Sequence, residues 1–214
     1  MIVKEYDYNI EPDIFTDIDL AHYIEKGLLI ENLKDFSQIK SISVDLTLGD
    51  SCKKILHNEF EEATSSLIID SKKIVKYDNF PWSTDSNGDK YIDIAPLDFL
   101  LFNTAEKINL PERVVFNGLD GTGRVFSLYG HVRGKSSIAR LGISTEFGSL
   151  IQPGFQGTIT LEVFNHNKDK AIRLYQGMPI CQVSFYKSTV PNKSYKSDQN
   201  SKYMNQIEAV GSKL

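Results

Sequence analysis

A single glutamate stands in the middle of an alternating stretch near residue 160. On the predicted strand Thr158–Asn165, Glu162 shares one face with Thr160 and Phe164. The aliphatic residues share the opposite face: Ile159, Leu161 and Val163. If the Glu162 face lines a pocket, partial burial raises the pKa of this carboxyl into a range useful for a general acid or base. Such a glutamate more often faces solvent, so the pattern alone leaves both interpretations open.

A second group of residues could bind an anion. The segment Gly130–Ser136 (GHVRGKS) is similar to the phosphate-binding loop of nucleoside triphosphatases, but its first glycine is one position too close. No alternating strand–helix pattern surrounds it, so we exclude that class. Lys135, Ser136 and Ser137 still offer an ammonium, two hydroxyls and backbone amides, and Arg140 follows on a predicted short helix. A basic surface loop is the alternative interpretation.

Zinc and thiol chemistry can be tested by counting ligands. Zinc-dependent base deaminases combine H-x-E with P-C-x-x-C, and here only His57 and Glu59 match the first half. Cys52 and Cys181 are far apart, and Cys181 lies in an apolar strand pattern typical of a core. We therefore expect neither a zinc site nor a cysteine nucleophile.

Charge is distributed unevenly along the 214 residues. The net charge is −4, yet residues 1–100 carry 20 acidic side chains against 10 lysines, and the remainder is net positive. All arginines fall in the second half: Arg113, Arg124, Arg133, Arg140 and Arg173. Because guanidinium groups favour carboxylate and phosphate oxygens, this favours an anion site there, although chance clustering explains it equally well. The acidic total argues against a nucleic-acid partner.

The elements that position these residues are mostly short strands. Residues Thr16–Gly27 predict a helix with Thr16 as N-cap, and Ser43–Gly49 alternates with period two. Further strands are predicted at Ser66–Ile69, Ile74–Tyr77, Phe99–Asn103, Val114–Asn117, Val125–Val132, Ala171–Leu174 and Ile180–Lys187. This pattern favours a single all-β barrel or sandwich domain. Residues 188–206 are polar and, taken alone, indicate a mobile tail.

Several features set the cellular context that we expect. Apolar stretches are too short to span a membrane, and the N-terminus lacks a signal-peptide pattern. Two distant cysteines fit a reduced environment. The sequence thus predicts a cytoplasmic protein with no membrane partner.

Five segments in order resemble the dCTP deaminases of the trimeric dUTPase superfamily. They are Ser43–Gly49 (SVDLTLG), Gly134–Ile143 (GKSSIARLGI), Pro153–Asn165 (PGFQGTITLEVFN), Gln176–Phe185 (QGMPICQVSF) and Ser201–Lys213 (SKYMNQIEAVGSK). The resemblance implies a mainly β, distorted β-barrel or jelly-roll-like fold of the dUTPase type, with a short N-terminal helix and few others. It also implies one domain over residues 1–214, with 188–214 as a lid over the nucleotide.

The same resemblance implies an activity, dCTP plus water giving dUTP plus ammonia. Glu162 matches the glutamate that activates the water, and Ser136 and Arg140 match residues that position water and base. The nucleotide-binding positions implied are Lys135, Ser136, Ser137, Ile138, Ala139, Arg140, Gln152, Thr160, Leu161, Glu162, Tyr195, Lys202 and Gln206. The family forms homotrimers with active sites between subunits, and Mg²⁺ accompanies the triphosphate. No zinc is implied, and dUTP and dTTP are further candidate ligands.

The sequence departs from the family pattern at Gln152. The family has aspartate before Pro153-Gly154, and a neutral amide is a poor base for attack on phosphate. This disfavours the bifunctional alternative, in which dCTP is converted to dUMP. The stretch from Arg140 to Pro153 is also one residue shorter than is typical. A regulator that binds nucleotide without catalysis is the third alternative, which retention of Glu162 disfavours.

Overall fold

The computed structural model describes residues 14–55, 75–117, 123–145 and 150–213. Within them the α-helices are α1 (Asp17–Glu25) and α2 (Ser136–Ala139), with a short 3-10 helix at Phe36–Gln38. The strands are β1 (Leu29–Glu31), β2 (Ile39–Lys40), β3 (Ser43–Ile55), β4 (Tyr77–Asn79), β5 (Ser83–Thr84), β6 (Lys90–Ile94), β7 (Phe99–Asn109), β8 (Val114–Asn117), β9 (Gly123–Gly134), β10 (Ile143–Ser144), β11 (Leu150–Ile151), β12 (Gln156–Asn165), β13 (Ile172–Tyr175) and β14 (Pro179–Ser188). The mainly β class expected from the sequence is confirmed.

The N-terminal helix forms where its capping residues predict it. The Thr16 backbone N–H and hydroxyl both donate to the Asp19 carboxylate, at 3.0 and 2.8 Å, which fixes the first turn. Gly27 follows the helix with φ of +72°, a conformation that glycine adopts without strain. The predicted range Thr16–Gly27 therefore includes the helix and both of its caps.

The predicted strands from Phe99 onward are all present, most of them longer than predicted. Ser66–Ile69 lies outside the described residues, and in the described part of Ile74–Tyr77 only Tyr77 belongs to a strand. That strand, β4, is three residues long and pairs with the end of β3. Its length is set by this pairing and not by a local hydrophobic pattern.

One large curled sheet forms the body of the described chain. Its strand order is β10-β12-β7-β3-β14-β9-β11, with β1 added to β7, β2 and β4 to β3, and β8 to β9. The smaller sheet has the order β13-β6-β5, and the pairings in both sheets are antiparallel. The buried core includes Leu46 of β3, Phe102 of β7 and Phe185 of β14. No helix of the described part is long and apolar enough to span a bilayer.

Candidate active site

Strand β12 carries Glu162 on the face that the sequence predicts. Leu161 and Val163 are buried in the core, whereas Thr160 and Glu162 are half-buried on the other face. The register with β7 shifts between Thr158 and Thr160. The extra residues of this irregularity lie on β7, because two steps along β12 span four steps from Lys107 to Asn103. Ile159 is partly buried against the core, as the alternation predicts, and it also borders the cavity.

Glu162 lines a cavity of ≈ 410 Å³ on the curled sheet. Apolar side chains such as Phe99, Leu101 and Phe155 form much of its wall. Of the residues predicted for nucleotide binding, the structure brings five together here: Gln152, Thr160, Glu162, Tyr195 and Gln206. These come from the turn before β12, from β12 itself and from the polar C-terminal segment, so tertiary folding assembles the group.

The Glu162 carboxyl is desolvated and lacks a compensating partner. Burial, the leading cause, raises its pKa above the ordinary value, and the hydrogen bond from its own backbone N–H opposes this. Its Oε2 atom is buried and has no hydrogen-bond partner among the described residues. The Gln206 Oε1 atom, in the same cavity, is likewise buried and without a partner. Two unsatisfied acceptors in one cavity indicate a place for a ligand or water that carries N–H or O–H donors.

The C-terminal segment is docked onto its own chain. The Tyr195 ring packs against Phe155 at 5.5 Å between centroids, and its backbone N–H donates to the Pro153 carbonyl at 2.7 Å. Gln206 exchanges hydrogen bonds with Thr158, its amide nitrogen donating to the Thr158 carbonyl at 2.5 Å. Lys202 is exposed and does not line the cavity.

The predicted phosphate turn lies apart from the cavity in this single chain. The Ile138 side chain is buried in the core, whereas Ser136, Ser137, Ala139 and Arg140 are exposed. None of these residues lines the Glu162 cavity. The Leu161 side chain faces the core as well. The structure therefore brings Glu162 together with the C-terminal segment but not with α2.

Lys135 is engaged within the chain. Its ammonium lies 2.6 Å from the Asp45 carboxylate on β3, and the Asp45 side chain is only 8% exposed. A lysine bound in this way positions the start of α2. Spacing along the sequence gives no hint of this pairing, because 90 positions separate the two residues.

Eleven further residues that were not predicted for the site line the cavity, among them Tyr77, Tyr203 and Gly211. Tyr77 of β4 follows a stretch that carried no motif, so no signal pointed to it. Tyr203 and Gly211 lie within the Ser201–Lys213 motif and could have been found there. Their contribution is apolar surface and shape rather than charge.

The thiols have no place in this site. Cys52 and Cys181 are both free and buried, and burial raises the pKa of each thiol. Neither is thus a thiolate nucleophile near neutral pH. His57 and Glu59 lie outside the described residues. Among the described residues, no three His, Cys, Asp or Glu side chains cluster as a metal site.

Comparison with solved structures defines the class of fold. A deoxycytidine triphosphate deaminase from Agrobacterium tumefaciens superposes with a TM-score of 0.52 at 19% identity, covering 81% of this chain. The matched part is 47% of that structure, so this chain spans about half of its length. The two proteins therefore share the curled, mainly β fold.

Sequence comparison then identifies the family. The family model described as dCTP deaminase-like matches residues 14–188, and the chain belongs to that family. A relative from Methanosphaera stadtmanae is 33% identical over 207 residues, covering 94% of this chain and 93% of the relative. One from Dictyoglomus turgidum is 36% identical over 205 residues, covering 94% of each. Both relatives are named dCTP deaminase, dUMP-forming.

Proposed function

We propose that this protein catalyses the hydrolytic deamination of dCTP, with Glu162 as general acid and base. The observation that carries the proposal is the buried, unpartnered Glu162 carboxylate oxygen in an apolar-walled cavity. Membership of the dCTP deaminase-like family and the names of the full-length relatives support the substrate.

The chemistry follows from the raised pKa of the Glu162 carboxyl. Ionised Glu162 takes a proton from water as the water oxygen attacks the C4 carbon of cytosine. The protonated carboxyl then gives this proton to the ring nitrogen. It next takes the proton of the new C4 hydroxyl and passes it to the amino group, so that ammonia leaves as the C4 carbonyl forms. A carboxyl with an elevated pKa both accepts and returns protons more readily at neutral pH than an ordinary glutamate. The cytosine amino group offers donors suited to the unpaired Gln206 oxygen.

The site is completed, in this proposal, by a second copy of the chain. Ser136 and Arg140 are exposed and do not line the cavity of their own chain. In a homotrimer with sites between subunits, α2 of one copy supplies these side chains to the Glu162 cavity of its neighbour. Ser137 and the amides of this turn then face the triphosphate, which brings Mg²⁺ with it. Residues 188–214 serve as the lid, with Tyr195 and Gln206 at the base and Lys202 toward phosphate.

The direct test is incubation of the purified protein with dCTP and Mg²⁺, measuring ammonia and identifying the nucleotide product. We expect deamination by the wild type and a loss of at least about a hundredfold in Glu162→Gln, with dCTP binding retained. Glu208→Gln is the matched control, because Glu208 is an exposed glutamate that does not line the cavity. Binding of dCTP without turnover by the wild type would instead assign a regulatory binding role.

A second candidate function is further hydrolysis of dUTP to dUMP and pyrophosphate. The names of the relatives favour it. The exposed, uncharged Gln152 at the cavity disfavours it, and Glu162 is the only carboxylate among the described residues that line the cavity. Release of pyrophosphate from dCTP or dUTP by the wild type would decide for dUMP. Absence of pyrophosphate, together with ammonia release, would establish dUTP as the product.

A further inference from the structure

The stretch Ala209–Ser212 is held by side chains from three different strands. The Ala209 backbone N–H donates to Ser51 Oγ of β3 at 3.1 Å. The Val210 N–H donates to Thr160 Oγ1 of β12 at 3.1 Å, and the Ser212 N–H donates to the Tyr77 hydroxyl of β4 at 3.3 Å. Because the three acceptors belong to separate strands of the main sheet, the stretch is fixed in place without secondary structure of its own.

Gly211 sits directly against the ring of Tyr77. A Cβ atom at Gly211 would lie 2.2 Å from Cε2 and 2.3 Å from Cδ2 of Tyr77, far inside van der Waals contact. Only glycine therefore permits this approach of backbone to ring. Ala209, two residues earlier, is fully buried. Its packing therefore adds to the hydrogen bonds that hold the stretch.

This stretch also borders the cavity of Glu162. Val210, Gly211 and Ser212 line it together with Tyr77. Thr160, which accepts the hydrogen bond from Val210, lies two residues before Glu162 on the same strand. The chain segment that Thr160 holds thus lines the same cavity as the carboxyl group.

The raised pKa of Glu162 is explained by exclusion of solvent and not by neighbouring charges. The other titratable groups among the described lining residues are the phenols of Tyr77, Tyr195 and Tyr203, and none of the lining residues besides Glu162 is charged. Burial is the leading cause of the raised pKa of Glu162. Whatever covers the carboxyl therefore controls its proton affinity.

We propose that Ala209–Ser212, held by Ser51, Thr160 and Tyr77, form a C-terminal wall that excludes water from the Glu162 carboxyl. Tyr77 and Gly211 are its positioning residues, since their contact keeps the stretch against the sheet. The catalytic consequence of the wall rests on the proposed deaminase function, whereas its effect on Glu162 does not require turnover.

The first test follows the titration of the Glu162 carboxyl in the nucleotide-free protein. Carboxyl-labelled glutamate is observed by NMR, and the Glu162 signal is assigned by its loss in Glu162→Gln. In Tyr77→Ala and Gly211→Ala, water reaches the carboxyl and the titration midpoint moves to lower pH. Tyr77→Phe keeps the ring and most of the effect. Ile207→Ala is the control, because this side chain on the same segment is 71% exposed.

The second test is the pH dependence of kcat for dCTP. In Tyr77→Ala and Gly211→Ala we expect the acidic limb of kcat to move to lower pH and kcat at neutral pH to fall about tenfold, with KM close to wild type. If the titration midpoint of Glu162 is unchanged in both folded variants, the proposal that Ala209–Ser212 exclude water from this carboxyl is refuted. A shifted titration in a protein that does not deaminate dCTP would support the wall and refute the function, so the two failures are distinguishable.

Discussion

Glu162 shows how one carboxyl gains its properties from its surroundings. It sits in mid-strand on β12, one face of which belongs to the core while the other opens on the cavity. Burial without an ion pair raises the pKa of the group, and Oε2 is left without a partner. Such an arrangement destabilises the folded protein and is retained where the group performs chemistry.

Burial of the Glu162 charge predicts how the stability of the folded protein depends on pH. The folded pKa of Glu162 is raised, so the folded state binds the proton more tightly, and stability is lost as pH rises from the unfolded pKa through the folded pKa. Glu162→Gln removes the buried charge and should be more stable than the wild type near neutral pH. The gain should vanish below about pH 4, where both states are protonated. Calorimetric Tm values from pH 3 to 8 measure it. A gain of equal size in the exposed control Glu208→Gln would contradict the explanation.

At the scale of elements, a buried polar network sets the place of α2. Glu106 of β7 is buried and accepts hydrogen bonds from Gln38 Nε2 at 2.8 Å and from both the backbone and hydroxyl of Thr47, at 2.7 and 2.8 Å. On the same strand as Thr47, Asp45 binds the Lys135 ammonium. Strand β3, which is bound to β7 through Glu106, thereby holds the residue that precedes α2.

Lys135 and Lys40 both approach the Asp45 carboxylate, and their substitution should affect stability unequally. Lys135→Met leaves the buried Asp45 charge without its close partner and should reduce the free energy of unfolding by about 3 kcal/mol. Lys40, at 3.8 Å from Asp45, has a side chain that is 51% exposed, and Lys40→Met should cost less than about 1 kcal/mol. Urea unfolding of both variants tests this. Equal losses would show that Lys135 does not act as the structural partner of Asp45.

At the scale of the whole molecule, the excess of arginine in the second half does not form one site. Arg173 makes a bidentate pair with Asp93 at 2.8 Å and stacks on the Tyr91 ring, within the smaller sheet. Arg140 directly follows α2, is exposed, and does not line the cavity of its own chain. The charge asymmetry therefore serves at least two purposes, a surface ion pair and the proposed contribution to a neighbouring copy.

Subunit mixing tests that contribution. Glu162→Gln and Arg140→Ala should each be inactive alone, because every site lacks one of its halves. After dissociation and reassembly in equal amounts, activity should return to about a quarter of the wild-type rate, since each half is intact in half of the subunits. Mixtures that stay inactive, while wild-type protein treated identically recovers, would show that one chain supplies both residues.

The sequence by itself determined the local features of this protein. Alternation of period two predicted the long strands, the Thr16 cap and Gly27 marked α1, and the order of five motifs indicated the family. These signals are readable because they depend on neighbouring residues in the chain. Strands β1, β2, β5, β6, β10 and β11 were not predicted; all but β6 are only two or three residues long and are defined by pairing with other strands.

The tertiary structure decided which of these residues meet. It placed Ile159 at the border of the cavity, paired Lys135 with Asp45, and kept Ser136 and Arg140 away from Glu162 within one chain. It also brought Tyr77 to the last residues of the chain, with 135 positions between Tyr77 and Ser212. Such contacts depend on the register of paired strands and on packing between distant segments, which no spacing along the sequence encodes.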